Sequence, residues 1–221
     1  MSDQEPDSSD LDALVKRVDP DRWLSSRFVA DAAARADLIT LYALDHELTR
    51  IPLVVSNPLM GEIRLTWWRE GLEEIAEGRP PRAHAVLLAV ADSALPPTAL
   101  AALAEARLGD LDGERTGEAA LAHVDATEGL LMALAARRLS GKATADQVKQ
   151  AARAVALAKV DGPAALTALG AARAELVGLP VMAFPAVAHA TLAGRYARNK
   201  NPGELEKRAR ILLAVLTGRI S

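Results

Sequence analysis

Residues 36–51 read ADLITLYALDHELTRI and place a single acid inside the apolar face of a predicted helix. At 100° per residue, Leu38, Leu41 and Leu48 share one side of this helix. Asp45 falls within their arc. An unpaired charge among apolar side chains is costly, so this carboxylate needs a cationic partner or a ligand.

A second helix is predicted from Asn57 to about Gly78, and its residues 57–74, NPLMGEIRLTWWREGLEE, hold two of the three tryptophans. Arg64 and Trp68 are four residues apart, so they share a face on which the guanidinium can stack on the indole. Because this helix directly follows the one that carries the acid, we predict that Arg64 pairs with Asp45 inside the bundle.

Two interpretations of Asp45 follow from its position. In the structural one it forms a salt bridge to a neighbouring helix, for which Arg35 and Arg69 are alternatives to Arg64. In the functional one it is a cavity acid that contacts a ligand or a metal. Position alone does not decide between them, because structural ion pairs also occupy such sites.

Composition predicts an all-α, single-domain helical bundle. Half of the 221 residues are hydrophobic but only 3% are aromatic, and alanine supplies much of the apolar content. Alanine is the best helix former, and the β-branched and aromatic runs typical of strands are scarce. Start and stop signals divide the chain into about ten helices, including predicted helices over residues 31–54 and 185–198.

The two ends of the chain differ in character. We assign residues 1–18 to an acidic, disordered tail and residues 19–221 to the helical domain. The opening sequence, MSDQEPDSSD, lacks the apolar core of a signal peptide. The most apolar windows are too short or too interrupted to cross a bilayer. These features predict a soluble, cytoplasmic protein for which contact with a membrane surface stays open.

Several classes of function are disfavoured. The net charge is −3, and no basic cluster is interleaved with aromatic residues, so a nucleic-acid partner is not expected. The absence of cysteine excludes disulfides and thiolate metal sites. The chain also lacks the glycine-rich phosphate loop and the H-E-x-x-H pattern.

Three segments resemble the squalene/phytoene synthase superfamily, whose members join two prenyl diphosphates head to head. Residues 61–70, GEIRLTWWRE, are similar to bacterial members and to the branch of the mitochondrial complex I assembly factor, where G-E-I-R-x-x-W-W recurs. Residues 105–112, EARLGDLD, and 126–132, ATEGLLM, resemble the family's A-R-x-x-D-L and E-A-T-x-G-x-L-M segments. The resemblance implies a bundle of the isoprenoid-synthase type around a central cavity.

The family's first magnesium-binding motif, Y-A-x-C-R-x-x-D-D-x-x-D, is altered in this chain. Aligned on Tyr42, its three aspartates correspond to Thr49, Arg50 and Leu53. Magnesium requires several oxygen ligands in near-octahedral geometry, which these side chains cannot supply. Asp45 lies one helical turn earlier.

The second motif, Q-x-x-N-x-x-R-D-x-x-x-D, is expected around residues 152–166. Asp161 is the only acid there, and it precedes the helix-breaking pair Gly162-Pro163. With both clusters altered, the resemblance predicts no metal site and no cofactor.

Three hypotheses of function result. The first is a catalytically degenerate squalene/phytoene-synthase-like protein that acts in respiratory-complex assembly or binds a prenyl lipid, with a protein or that lipid as its partner. Its ligand-cavity candidates lie on the first two helices discussed: Tyr42, Asp45, Thr49, Arg50, Arg64 and Trp68. The alternative is an active head-to-head prenyl-diphosphate transferase whose magnesium is held by a displaced set: Asp45, Asp110 and Asp161. The third is a structural subunit whose cavity is filled by side chains.

Overall fold

The computed structural model describes residues 8–113 and 115–220, and within these residues the regular structure is entirely helical. This confirms the predicted all-α class. The α-helices are, in chain order, α1 (Ser8–Val18), α2 (Pro20–Ser26), α3 (Ala32–Thr49), α4 (Ile51–Val54), α5 (Pro58–Ala76), α6 (Ala85–Ala91), α7 (Pro97–Ala106), α8 (Gly117–Val124), α9 (Leu130–Leu139), α10 (Ala145–Leu157), α11 (Gly162–Glu175), α12 (Ala193–Tyr196) and α13 (Glu204–Thr217).

Local signals in the sequence set where the longer helices begin. The side chains of Asp19, Asp31, Asn57 and Asp161 each accept a hydrogen bond from a backbone N–H in the first turn of the helix that follows. These bonds satisfy donors that have no partner within the helix. Thr144 forms a full capping box with Gln147 at the start of α10.

Helix α3 lies at the centre of the bundle, in contact with α1, α6 and α9. It is buried on nearly all sides, since Leu38, Leu41, Leu44 and Leu48 are all inaccessible to solvent. All residues from 37 to 45 are buried, so the rest of the protein surrounds the middle of this helix. Asp45 therefore sits deeper than one apolar stripe would place it.

The predicted tail over residues 1–18 is wrong for its second half. Helix α1 occupies Ser8–Val18, and Leu11 and Val15 are buried against the bundle. Leucine and valine recur here at helical spacing, so this stretch carries an amphipathic face. The acidic residues before it concealed that pattern. Residues 1–7 lie outside the described residues.

Two predicted helices are interrupted. The helix predicted over residues 31–54 ends at Thr49, and α4 follows as a separate turn that contains Pro52. Proline removes a backbone donor and clashes with the preceding turn of a helix. In place of one helix over residues 185–198, the structure has two 3₁₀ segments, Val181–Ala186 and Ala188–Leu192, before α12.

One helical stretch in the described part of the chain is long and apolar enough to cross a membrane by length and composition alone. It covers Gly117–Leu139, and 44% of its most apolar 18 residues are buried within the protein. A core helix passes the same test. Helix α9 packs on α3 and α10 and buries Leu131, Met132 and Leu134, whereas no residue of α8 is buried.

Removing a buried side chain from α1 should destabilise the whole domain. We expect Leu11→Ala to lower the free energy of unfolding by roughly 2–5 kcal/mol, because it leaves a cavity between α1 and the bundle. Chemical denaturation measures the change. Arg17→Ala, on the exposed side of α1, is the control. Equal stability of the two variants would contradict the packing of α1.

Candidate functional site

Asp45 joins two arginines in the interior of the bundle. Its side chain is almost fully buried. Arg22 Nη1 donates to Asp45 Oδ2 at 3.1 Å, and Arg107 Nη2 donates to Asp45 Oδ1 at 2.6 Å. The prediction that Asp45 pairs with an arginine is confirmed. The predicted partner is wrong, because Arg64 is exposed on α5 and lies outside this buried interaction.

Arg22 extends this interaction to two further carboxylates. Its Nη1 also donates to Asp19 Oδ2 at 2.9 Å, and its Nη2 donates to Glu128 Oε2. The guanidinium plane supplies the several donors that such bridging requires. We call Arg22, Asp45, Arg107 and Glu128 the central cluster. It holds two positive and two negative side chains, so its formal charge is balanced.

A second branch leads from Arg107 towards solvent. Arg107 Nη1 donates to Asp110 Oδ2 at 3.4 Å, and Asp110 Oδ1 lies 2.6 Å from His123 Nε2. Both members of the Asp110–His123 pair are partly exposed. This branch connects the buried charges to the 3₁₀ segment Arg107–Leu111 and to α8.

Burial and the neighbouring charges raise the pKa of both a base, Arg22, and an acid, Glu128, in the central cluster. Burial alone lowers the pKa of Arg22, but the carboxylates of Glu128, Asp19 and Asp45 outweigh it, and the pKa is raised. Burial raises the pKa of Glu128, with a further contribution from the charge of Asp45, against the opposing pull of Arg22.

Tyr42 and His189 flank the cluster. The Arg22 guanidinium lies 5.5 Å from the centre of the Tyr42 ring, and burial raises the pKa of the Tyr42 hydroxyl. Burial and the charge of Arg22 lower the pKa of His189 to about 4, so its imidazole is neutral at pH 7. No hydrogen-bond partner among residues 8–113 and 115–220 reaches the Tyr42 hydroxyl or either His189 ring nitrogen.

A cavity of about 260 Å³ adjoins the central cluster on the side of α10 and α12. Its polar lining comes from these residues: Asp19, Asp21, Arg22, Glu128, Lys159, His189 and Tyr196. Within the described chain, Glu128 Oε1 has no hydrogen-bond partner. The cavity thus combines a free carboxylate oxygen with a neutral imidazole, and both can bind a polar group.

The lining of this cavity includes part of the stretch where the family's second aspartate motif is expected. Val155 and Lys159, both within residues 152–166, line the cavity. The motif region therefore contributes an aliphatic side chain and an ammonium group to the lining. Lys159 Nζ lies 5.2 Å from the centre of the Tyr196 ring. A cation on this wall disfavours the binding of a second cation beside it.

A π turn at Asp125–Gly129 directs Glu128 inward between α8 and α9. Within this turn, Thr127 Oγ1 donates to the backbone carbonyl of His123 in α8 at 2.8 Å. Such single-turn bulges widen a helix locally and are frequent at functional sites. The sequence signal for Glu128 was a lone acid in the otherwise apolar run 126–135, inside the ATEGLLM segment.

The predicted cavity residues are divided between two places. Tyr42 and Asp45 lie at the central cluster. Three others, Arg50, Arg64 and Trp68, line a separate groove of about 280 Å³ between α3, α4 and α5. Trp68 is buried there, while Arg64 and the neighbouring Trp67 are exposed.

The residues aligned with the first aspartate motif serve other purposes. Thr49 Oγ1 donates to the backbone carbonyl of Asp45 at 2.8 Å. Arg50 Nη1 pairs with Glu47 Oε1 at 3.2 Å, and Leu53 is 83% exposed. A hydroxyl bonded to its own helix, a cation and an exposed alkyl chain do not fit a magnesium ion.

The displaced metal set does not converge on one point either. Asp45 is held by two arginines, and Asp110 is held by His123 and Arg107. Asp161 is an exposed helix cap that accepts a hydrogen bond from the backbone N–H of Ala164 at 3.0 Å. In the described part of the chain, no group of three acidic, histidine or cysteine side chains is arranged to hold a metal ion.

The helical bundle and its buried polar centre define the isoprenoid-synthase type of fold. The family model described as squalene/phytoene synthase matches residues 15–159, and the chain belongs to this family. The match includes all four members of the central cluster. No curated protein and no solved structure shows significant similarity to the chain.

Loss of the Asp45 charge should destabilise the protein strongly. We expect Asp45→Asn to lower the free energy of unfolding by roughly 3–5 kcal/mol, because it leaves Arg22 and Arg107 buried without their shared counter-ion. Denaturant unfolding measures the loss. Arg64→Gln, at the partner that the sequence predicts, should change stability by no more than about 0.5 kcal/mol. The reverse order would contradict the assigned pairing.

Glu128 should give stability a distinctive pH dependence. Its pKa is raised in the folded protein, so its contribution is fully present below the unfolded value of about 4.5 and is lost as the pH rises through the folded value. The unfolding free energy of the wild type minus that of Glu128→Gln should therefore decrease between about pH 4 and pH 7. A difference that moves in favour of the wild type over this range would show that the pKa of Glu128 is lowered.

Proposed function

We propose that this chain is a squalene/phytoene-synthase-like protein that has lost the family's metal-dependent condensation and acts by binding. Its role would be in the assembly of a respiratory complex or in holding a prenyl lipid. The observation that carries the proposal is the use of the buried acids. Asp45 is held by Arg22 and Arg107, and one oxygen of Glu128 is held by Arg22. Thr49, Arg50 and Leu53 occupy the aligned motif positions.

The physical argument concerns the leaving group. When a prenyl diphosphate ionises, its diphosphate gains charge that bound cations must neutralise in the transition state. Arg22 and Arg107 cannot supply that neutralisation freely, because each already serves at least two carboxylates. Their positive charge also disfavours magnesium near Asp45.

Two observations support the binding roles separately. The GEIRLTWWRE segment resembles the branch of the mitochondrial complex I assembly factor, which favours a protein partner in respiratory-complex assembly. The groove between α3, α4 and α5 combines Ile51, Val54 and Ile63 with the two neighbouring tryptophans, which favours a prenyl chain. The proposal includes no metal cofactor and no nucleic acid, and it places the protein in the cytoplasm.

Purified protein should release no diphosphate above the blank from prenyl diphosphates with excess magnesium or manganese. The expected reason is the lack of a carboxylate set for the metal. Turnover that disappears in both Asp110→Asn and Asp161→Asn would overturn the proposal in favour of the active transferase with displaced ligands. Turnover that both variants retain would be traced to a contaminating enzyme by its failure to co-purify with the chain.

Calorimetric titration separates the two binding roles. If the chain holds a prenyl lipid, farnesol and farnesyl diphosphate should both bind, and magnesium should not change the affinity for either. Ile63→Glu should weaken this binding, because it places a charge in the groove. No heat with either compound would leave respiratory-complex assembly as the proposed role.

A further inference from the structure

An exposed apolar surface lies at the junction of α4 and α5. The described residues Leu53, Val54, Leu59 and Met60 are 83%, 57%, 59% and 44% exposed, and Ile63 continues the same surface at 54%. Single exposed apolar side chains are ordinary, but a contiguous group marks a site of interaction. We call these five residues, with the half-exposed Trp67, the α4–α5 surface.

Close packing on the opposite side of α5 keeps this surface turned outward. Gly61, Leu65, Trp68 and Leu72 form the inner stripe of the helix and are buried. A methyl group added at Gly61 would meet the end of the Leu111 side chain, which would have to move, so this side of α5 lies close to the segment that follows α7. Helix α5 therefore has two apolar stripes, of which the core uses one.

The sequence of the junction is unusual for a solvent-exposed turn. Residues 51–61, IPLVVSNPLMG, contain no charged side chain. An exposed connection is normally polar, because apolar turns lose hydration energy without burial in return. Here the exposed residues 53–54 and 59–60 are all apolar.

Cationic and aromatic side chains border the apolar tip. Arg50 precedes α4 with half of its side chain exposed, although it also pairs with Glu47. Arg64 is exposed on α5 and has no ion pair with any described residue, while Glu62 is an exposed acid nearby. At about 1.5 Å per residue, Arg64 and Trp67 lie about 7.5 and 12 Å along α5 from Leu59.

We propose that the α4–α5 surface docks on a bilayer that contains anionic phospholipid. Along α5 the apolar tip comes first, then Arg64 and then Trp67. This order suits a surface whose tip enters the bilayer by about 5–10 Å while the guanidinium and the indole stay at the headgroups. The charge of Arg64 is complementary to an anionic headgroup and meets no counter-ion among the described residues of its own chain. A projecting aliphatic turn suits a fluid apolar layer better than a flat protein surface. The surface shares Val54, Ile63 and Trp67 with the groove proposed for a prenyl chain. Leu53 and Leu59 lie outside that groove, so the docking at the tip does not require a bound lipid and is tested separately.

Flotation with vesicles tests the proposal on the full chain. One vesicle preparation contains phosphatidylcholine alone, and the other contains phosphatidylcholine and phosphatidylglycerol in equal parts. The wild type should float with the anionic vesicles, bind the neutral ones more weakly, and dissociate as salt is raised. The double variant Leu53→Ser, Leu59→Ser should bind both at least about tenfold more weakly, since two leucines leave the apolar layer.

Two single variants separate charge from apolar contact. Arg64→Gln should lower binding to anionic vesicles about fivefold and leave binding to neutral ones unchanged. Val160→Ser, at an exposed valine outside this surface, should bind as the wild type does. Thermal melts establish that each variant is folded.

Three outcomes would overturn the proposal. The first is a folded wild type that floats with neither preparation. The second is binding that the double leucine variant retains. The third is self-association of the wild type, seen by analytical ultracentrifugation without vesicles, that the double variant abolishes, because the surface would then join two copies of the chain.

Discussion

The bridge from Asp45 to Arg22 and Arg107 is the interaction on which the interior of this protein depends. It ties α3 to α2 and to the 3₁₀ segment that follows α7, and Arg22 carries the connection on to the π turn. Each ion loses hydration on burial, and geometry must compensate for this loss. Such a network adds little net stability compared with an apolar core. Its ion pairs join segments that lie far apart in the sequence.

The local parts of the fold were accessible from the sequence, whereas the partners of the central acid were not. Caps such as Asp31 and Asn57 act within four residues, so their patterns can be recognised directly. Arg22 and Arg107 lie 23 and 62 residues from Asp45, and helical spacing does not reveal contacts across the bundle. The sequence favoured Arg64 because it lay on the next helix. In the structure Gly61 and Leu65 lie on the buried side of α5, and Arg64 lies on the exposed side.

The sequence predicts one cavity, but in the structure the candidate residues lie on two different sides of α3. Asp45 and Arg50 are five residues apart, which corresponds to a rotation of about 140° around α3 and its end. Asp45 therefore faces the central cluster, while Arg50 borders the outer groove next to α4. The family motif treats these positions as consecutive parts of one pattern. Here α3 ends at Thr49 and the separate helix α4 follows from Ile51, so the aligned residues Arg50 and Leu53 lie at the surface.

Because Asp125–Gly129 forms a π turn, the fold constrains the number of residues between α8 and α9 as well as their identity. A π turn holds one more residue than an α turn over a similar rise, so α8 and α9 are joined with an extra residue between their faces. Loss of one residue there would still permit a continuous helix. It would also rotate α9 by about 100° relative to α8 and carry Leu131 and Leu134 away from the core. Among relatives of this chain, insertions and deletions should therefore be scarcer in this turn than substitutions, even where its side chains are exposed.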